Sequence, residues 1–110
     1  MEVLEIARKI DQLNRSVKEL RNTGTAYAQA ERDYKVALRT EALKLRDEGM
    51  AVTLIDKIVY GIPAVADKRF ERDVAEAIYD ANKEAINAIK LQIRILNEQI
   101  AQDWGAAKYD

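Results

Sequence analysis

Apolar residues recur at spacings of three and four through Val3, Ile6, Ile10, Leu13, Val17 and Leu20, the seam of a coiled-coil-like helix. The same phase continues through Gly24, Tyr27, Glu31, Tyr34, Leu38, Glu41 and Leu45. A loop at Asn22-Thr-Gly-Thr25 would have no reason to preserve that phase. One helix over residues 2–48 is therefore predicted, in spite of the ~1 kcal/mol that an interior glycine costs. Gly24 then marks either a close helix crossing or a hinge. A second long amphipathic stretch, residues 63–104, carries two apolar stripes. One is Ile78, Ile86, Ile89, Ile93, Leu96 and Ile100; the other, about a quarter turn away, is Phe70, Val74, Ala77, Ala81, Ala85, Ala88 and Ile95.

Between the two helices lies Gly49-Met-Ala-Val-Thr-Leu-Ile-Asp-Lys-Ile-Val-Tyr-Gly-Ile62, longer and far more apolar than an ordinary helix–helix connection. Gly49 suits the left-handed C-cap of the first helix, and Pro63 suits the first turn of the second. Thr53-Leu-Ile-Asp56 has the form of a capping box with Asp for Glu, so a short tip helix from Leu54 to about Tyr60 is expected, ended by Gly61. The apolar tip residues, Val52, Leu54, Ile55, Ile58, Val59, Tyr60 and Ile62, either cap the end of the hairpin or present an apolar patch to a partner.

The predicted architecture is all-α: a long antiparallel hairpin in one domain of 110 residues, with a tail over 105–110 expected to fray. At ~1.5 Å per residue each long helix reaches roughly 60 Å or more. One partner helix cannot cover both stripes of the second, so assembly into a helical bundle is expected. Ile86, Ile89, Ile93, Leu96 and Ile100 are the residues expected to mediate self-association as a dimer or larger oligomer. If the hairpin folds symmetrically about residues 49–62, Gly24 lies beside Asn87, close to Ile86 or Ile89.

Composition narrows the chemistry. The chain has no histidine and no cysteine, which removes the commonest general base, the usual nucleophile pairs and the soft metal ligands. Glu31 and Glu41, at seam positions, and Glu71 with Glu76 are the acids that a di-metal bundle could use. Such sites add a histidine three residues after a glutamate, so the expected role of Glu31 and Glu41 is to set register by pairing with Arg or Lys. No cofactor and no metal is expected, and the protein is expected to work by binding rather than catalysis.

Net charge is −1 with both signs interspersed, so no global field draws in nucleic acid or an anionic membrane. Local contact with nucleic acid would fall to Arg32 and Lys35, around Tyr34, and to Lys68, Arg69 and Arg72, around Phe70, where cations sit beside rings. Acids neutralise both clusters, with Arg69 and Asp73 spaced as i,i+4 partners, so a solvated face is the stronger reading. Trp104 either anchors a partner or closes the bundle end over Ile6 or Ile10. The start, Met1-Glu-Val-Leu-Glu-Ile-Ala-Arg8, lacks the apolar core of a signal peptide, and no apolar run approaches the ~20 residues of a membrane span. A cytoplasmic protein without membrane contact is expected.

Four segments, Arg15-Ser-Val-Lys-Glu-Leu-Arg21, Tyr34-Lys-Val-Ala-Leu-Arg39, Gly49-Met-Ala-Val-Thr-Leu-Ile-Asp56 and Val74-Ala-Glu-Ala-Ile-Tyr79, resemble those of short uncharacterised proteins. These are encoded by temperate phages of Gram-positive bacteria, in early regions near replication and recombination genes. The resemblance covers most of the chain and contains no catalytic motif. It implies an intracellular phage accessory protein acting on replication, recombination, or a host or defence target, and it transfers no functional residue. Two expectations follow: a protein-binding adaptor or inhibitor with a host or phage protein as partner, or an accessory factor that touches DNA or RNA.

Overall fold

The computed structural model describes the backbone of residues 2–109 and the side chains of residues 3–105. It is helical throughout: α1 spans Glu2–Asp47, α2 spans Val52–Ile58, a single 3-10 turn spans Val59–Gly61, and α3 spans Pro63–Tyr109. α1 passes through Gly24 without interruption, as the unbroken seam predicts. α3 runs five residues past Trp104 rather than fraying there, and Asp110 lies outside the described residues. The chain divides into two compact units, residues 23–79 and residues 1–22 with 80–110.

In the unit of residues 23–79, α1 ends in a Schellman motif. Gly49 takes φ +91°, its N–H donates to the Arg46 carbonyl at 2.9 Å, and the Met50 N–H donates to the Leu45 carbonyl at 3.1 Å. Met50 and Leu45, the apolar pair such a motif brings together, both pack on the core. α2 begins two residues before the expected Leu54, and the capping box is not used. Ala51 is the cap, its carbonyl accepting from both Leu54 and Ile55 at 3.0 Å, so Thr53 already lies inside the first turn. Ile62, extended at φ −67° and ψ 128°, starts α3 by accepting from Val65 at 2.9 Å and Ala66 at 2.8 Å; Pro63 fills the first helical position, where no N–H is needed.

The core of this unit is Tyr34, Ile55, Val59 and Val65, with Leu38, Ala42, Leu45, Met50 and Ile62 packed around it. Val65 is 0% exposed. The tip thus folds back along the last turns of α1 instead of merely reversing the chain, and α3 meets α1 nearer Tyr34 than a symmetric hairpin would allow. The register moves accordingly. Gly24 faces Tyr79, eight residues before the expected Asn87, and an added Cβ at Gly24 would stand 3.2 Å from Tyr79 Cε1. Tyr79 in turn tilts against Tyr27 with ring centroids 5.9 Å apart. Gly24 is a close crossing.

In the unit of residues 1–22 and 80–110, Ile86 and Ile89 are buried, with Ile6, Leu13, Leu20, Ile93, Leu96 and Ile100 half-buried. Val3, Ile10 and Val17, expected in the seam, are exposed; half-buried Lys9 and Ser16 lie inward in their place. Asn82 supplies the reason. Its Nδ2 donates to the Ser16 carbonyl at 3.1 Å, which turns the Lys9 and Ser16 column of α1 toward α3. Ile78, placed by the sequence in the same stripe as Ile86, is exposed within its own unit, and Tyr79 turns inward beside it.

Replacing Gly24 by Leu is expected to lower unfolding stability by about 1–3 kcal/mol through overpacking against Tyr79, measured by urea denaturation. An unchanged or raised midpoint would show that the crossing is not tight.

Candidate functional site

The tip carries the apolar surface most firmly held in place. Ile55 and Val59, an i,i+4 pair, turn inward and pin the segment to α1 and α3. Leu54 and Ile58, one position earlier on the helix, turn outward, and both are exposed along with Val52 and Tyr60. Of the seven apolar tip residues, Ile55 and Val59 are therefore core residues, Ile62 packs against them, and Val52, Leu54, Ile58 and Tyr60 form the outer face. The Arg69 guanidinium lies 5.9 Å from the Tyr60 ring centroid, which ties the end of this face to α3.

Polar groups between α1 and α3 in the same unit set the register. Arg72, with a side chain only 20% exposed, donates to Asp73 at 2.8 Å and to Glu31 at 3.4 Å, and its guanidinium carbon stands 4.6 Å from the Tyr34 ring centroid. The hydrogen bond to Asp73 is the main cause of the upward shift of the Arg72 pKa, opposed by burial. Glu31 also takes Lys35 at 3.4 Å, and Glu41 takes Lys44 at 3.2 Å, so both seam glutamates are paired with cations. Burial also raises the pKa of the Tyr27 phenol, helped by the charges of Glu76 and Glu31 and by the hydrogen bond it donates to Glu76. Among the described residues no group of three or more acidic side chains converges in a way that could hold a metal.

Each of the five cations considered for nucleic acid has a partner in its own unit: Arg32 lies 3.8 Å from Asp33, Lys35 3.4 Å from Glu31 and Lys68 3.1 Å from Glu71. Arg72 is spent on Glu31, Asp73 and Tyr34, and Arg69 rests on Tyr60. Arg32 and Lys68, from different helices, line one shallow depression with Asp33, Val36 and Ala37; Arg32, Lys35 and Arg39 line a neighbouring one with Glu31 and Val36. Arg39 was missed by sequence reasoning, although its spacing of four from Lys35 and seven from Arg32 places all three on one face. Of the two rings expected beside these cations, Tyr34 is buried and Phe70 is exposed.

Ile86 and Ile89, expected to mediate self-association, are buried against α1 of the same chain, and Ile93, Leu96 and Ile100 follow them along that seam. Trp104 is 75% exposed and does not close over Ile6 or Ile10. Among the described residues no helix is long and apolar enough to cross a membrane. No protein-family model, curated protein or solved structure matches this chain.

The two faces of α2 differ in what they hold. Ile55→Ala is expected to cost roughly 2–5 kcal/mol by leaving a cavity, whereas Leu54→Ala stays within about 0.5 kcal/mol of wild type. Equal losses in thermal or urea unfolding would mean that the outer face is packed too.

Proposed function

We propose that this chain is a non-enzymatic, oligomeric protein-binding module, an adaptor or inhibitor whose partner is a host or phage protein and whose docking element is the hairpin tip. The observation that carries this reading is the division of the tip, α2 with the turn after it, into a buried pair, Ile55 and Val59, and an exposed set, Val52, Leu54, Ile58 and Tyr60. An apolar face anchored from behind loses little conformational freedom on binding, and that is what a docking surface needs. The likeness to early-region phage proteins supports an intracellular partner, and the lack of histidine and cysteine favours binding over chemistry.

The test compares wild type with Leu54→Asp/Ile58→Asp in affinity capture from host lysate, read by mass spectrometry. Circular dichroism checks that the variant stays helical. A protein held by wild type and lost at least tenfold from the variant is the expected result. Identical captures, or none from either, would remove the tip from consideration.

A second reading, an accessory DNA- or RNA-binding factor, is supported by the approach of Arg32 and Lys68 from different helices, with Lys35 and Arg39 alongside. Phosphate contacts release counterions, so binding through this strip must weaken steeply with salt. A mobility shift with single- and double-stranded DNA, titrated from low to physiological salt, should show binding that is lost in Arg32→Glu/Lys68→Glu. Salt-independent or absent binding rejects this reading.

A further inference from the structure

In the unit of residues 23–79 each long helix carries an exposed stripe that turns away from the other helix, and the two stripes are opposite in charge. On α1, Ala28, Arg32, Lys35, Arg39, Leu43 and Arg46 follow one another at spacings of four and three, with Val36 beside them, so they share one face. All are exposed and none is an acid; Tyr34 and Leu38, which pack on the core, hold the opposite face. On α3, Asp67, Phe70, Glu71, Val74 and Ile78 make a second stripe at spacings of three and four. All of these are exposed, Phe70 at 69%, and none is a cation, while Val65 and Arg72 turn inward behind them. Arg39 and Arg46 on the first stripe and Asp67 on the second take part in no ion pair among the described residues.

We propose that a second copy of this chain docks here, the cationic stripe of α1 in one copy lying along the acidic stripe of α3 in the next, with Val36 and Leu43 against Phe70, Val74 and Ile78. Charge complementarity selects the occupant. A stripe lined by arginines requires facing carboxylates, an apolar stripe rimmed by carboxylates requires facing cations, and this chain carries both at the same helical spacing. Nucleic acid would satisfy the cations but leave Val36, Leu43 and the whole α3 stripe uncovered. Ion pairs already present do not stand in the way. Arg32 with Asp33 at 3.8 Å, Lys35 with Glu31 at 3.4 Å and Lys68 with Glu71 at 3.1 Å each lie within one helix, with the cations largely in solvent, where such pairs contribute little and rearrange readily. Because both stripes turn away from the α1–α3 contact, the association is heterologous: each copy that docks leaves one stripe of either sign open, and assembly continues past a dimer. The inference deepens the oligomeric part of the proposed function, rests on that part alone and not on the tip, and places self-association in the unit of residues 23–79 instead of the Ile86-to-Ile100 seam.

Sedimentation velocity of the full chain, from about 1 to 100 µM protein at about 50 mM salt, gives the direct test. Wild type is expected to grow in mass with concentration, and about 0.5 M salt to weaken its association roughly tenfold by screening the facing charges. Arg39→Glu/Arg46→Glu and Asp67→Lys/Glu71→Lys, both at exposed positions, are each expected to weaken self-association about tenfold or more through like-charge juxtaposition. An equimolar mixture of the two is expected to recover heterodimers of wild-type affinity, because the intact α3 stripe of the first variant meets the intact α1 stripe of the second. Leu54→Asp/Ile58→Asp is expected to associate like wild type. A wild-type monomer across the range overturns the proposal, as does association indifferent to salt, a charge-reversed variant that associates like wild type, or a mixture no more associated than its components. Circular dichroism checks that the variants stay helical, and the salt series, which needs wild type alone, decides the matter even where one does not. Self-association with no tip-dependent capture would leave this inference standing while the tip reading fell, and tip-dependent capture by a monomer would do the reverse.

Discussion

The packing of the tip segment back onto α1 is the constraint on which the unit of residues 23–79 depends. Tyr34, Ile55, Val59 and Val65 form its continuous buried cluster, and they come from four successive elements: α1, α2, the 3-10 turn and α3. Because α2 and the turn after it lie alongside Leu38, Ala42 and Leu45, α3 cannot begin opposite the end of α1. It meets α1 further down, bringing Arg72 to Glu31 and Tyr79 to Gly24. The same packing turns Leu54 and Ile58 outward, so the candidate docking face is a by-product of how the core is closed.

Polar seam residues act on register more than on stability. Arg72 is held by a carboxylate on each helix and by the Tyr34 ring, and sliding α3 by one turn would break its contact with Glu31 and leave that acid to Lys35 alone. Asn82 does comparable work in the other unit by donating to the backbone carbonyl of Ser16. An all-apolar seam would be stickier but less specific, since knobs of similar size pack nearly as well one heptad along. The cost falls on Ile10 and Val17, which the same geometry leaves outside.

Much of the fold was legible. The unbroken phase through Gly24, the left-handed Gly49, and Pro63 as the first residue of α3 are local or periodic signals, and each appears where the sequence put it. The pairing of Glu31 and Glu41 with cations was legible for the same reason, because i,i+3 and i,i+4 partners are fixed by helical spacing. The assignment of Val3, Ile10 and Val17 to the seam failed. Two columns flanking a helix differ by about 100°, and a pattern of spacings cannot choose between them once a hydrogen bond such as that of Asn82 competes with apolar area. The tip was only half legible: its apolar residues were evident, but which pair turned inward depended on where α2 began, and Ala51 rather than Thr53 is the cap.

Sequence by itself determined the helices and their ends: repeats of three and four residues, a glycine able to take positive φ, a proline that needs no donor, and a composition with neither histidine nor cysteine. These are properties of neighbours along the chain. Tertiary structure decided the register of α3 on α1, the burial of Ile55, Val59, Ile86 and Ile89, and the gathering of Arg32 with Lys68 across two helices. Those outcomes depend on contacts between residues distant in sequence, and the balance of packing, hydrogen bonding and desolvation that selects among them exists only once both helices are in place.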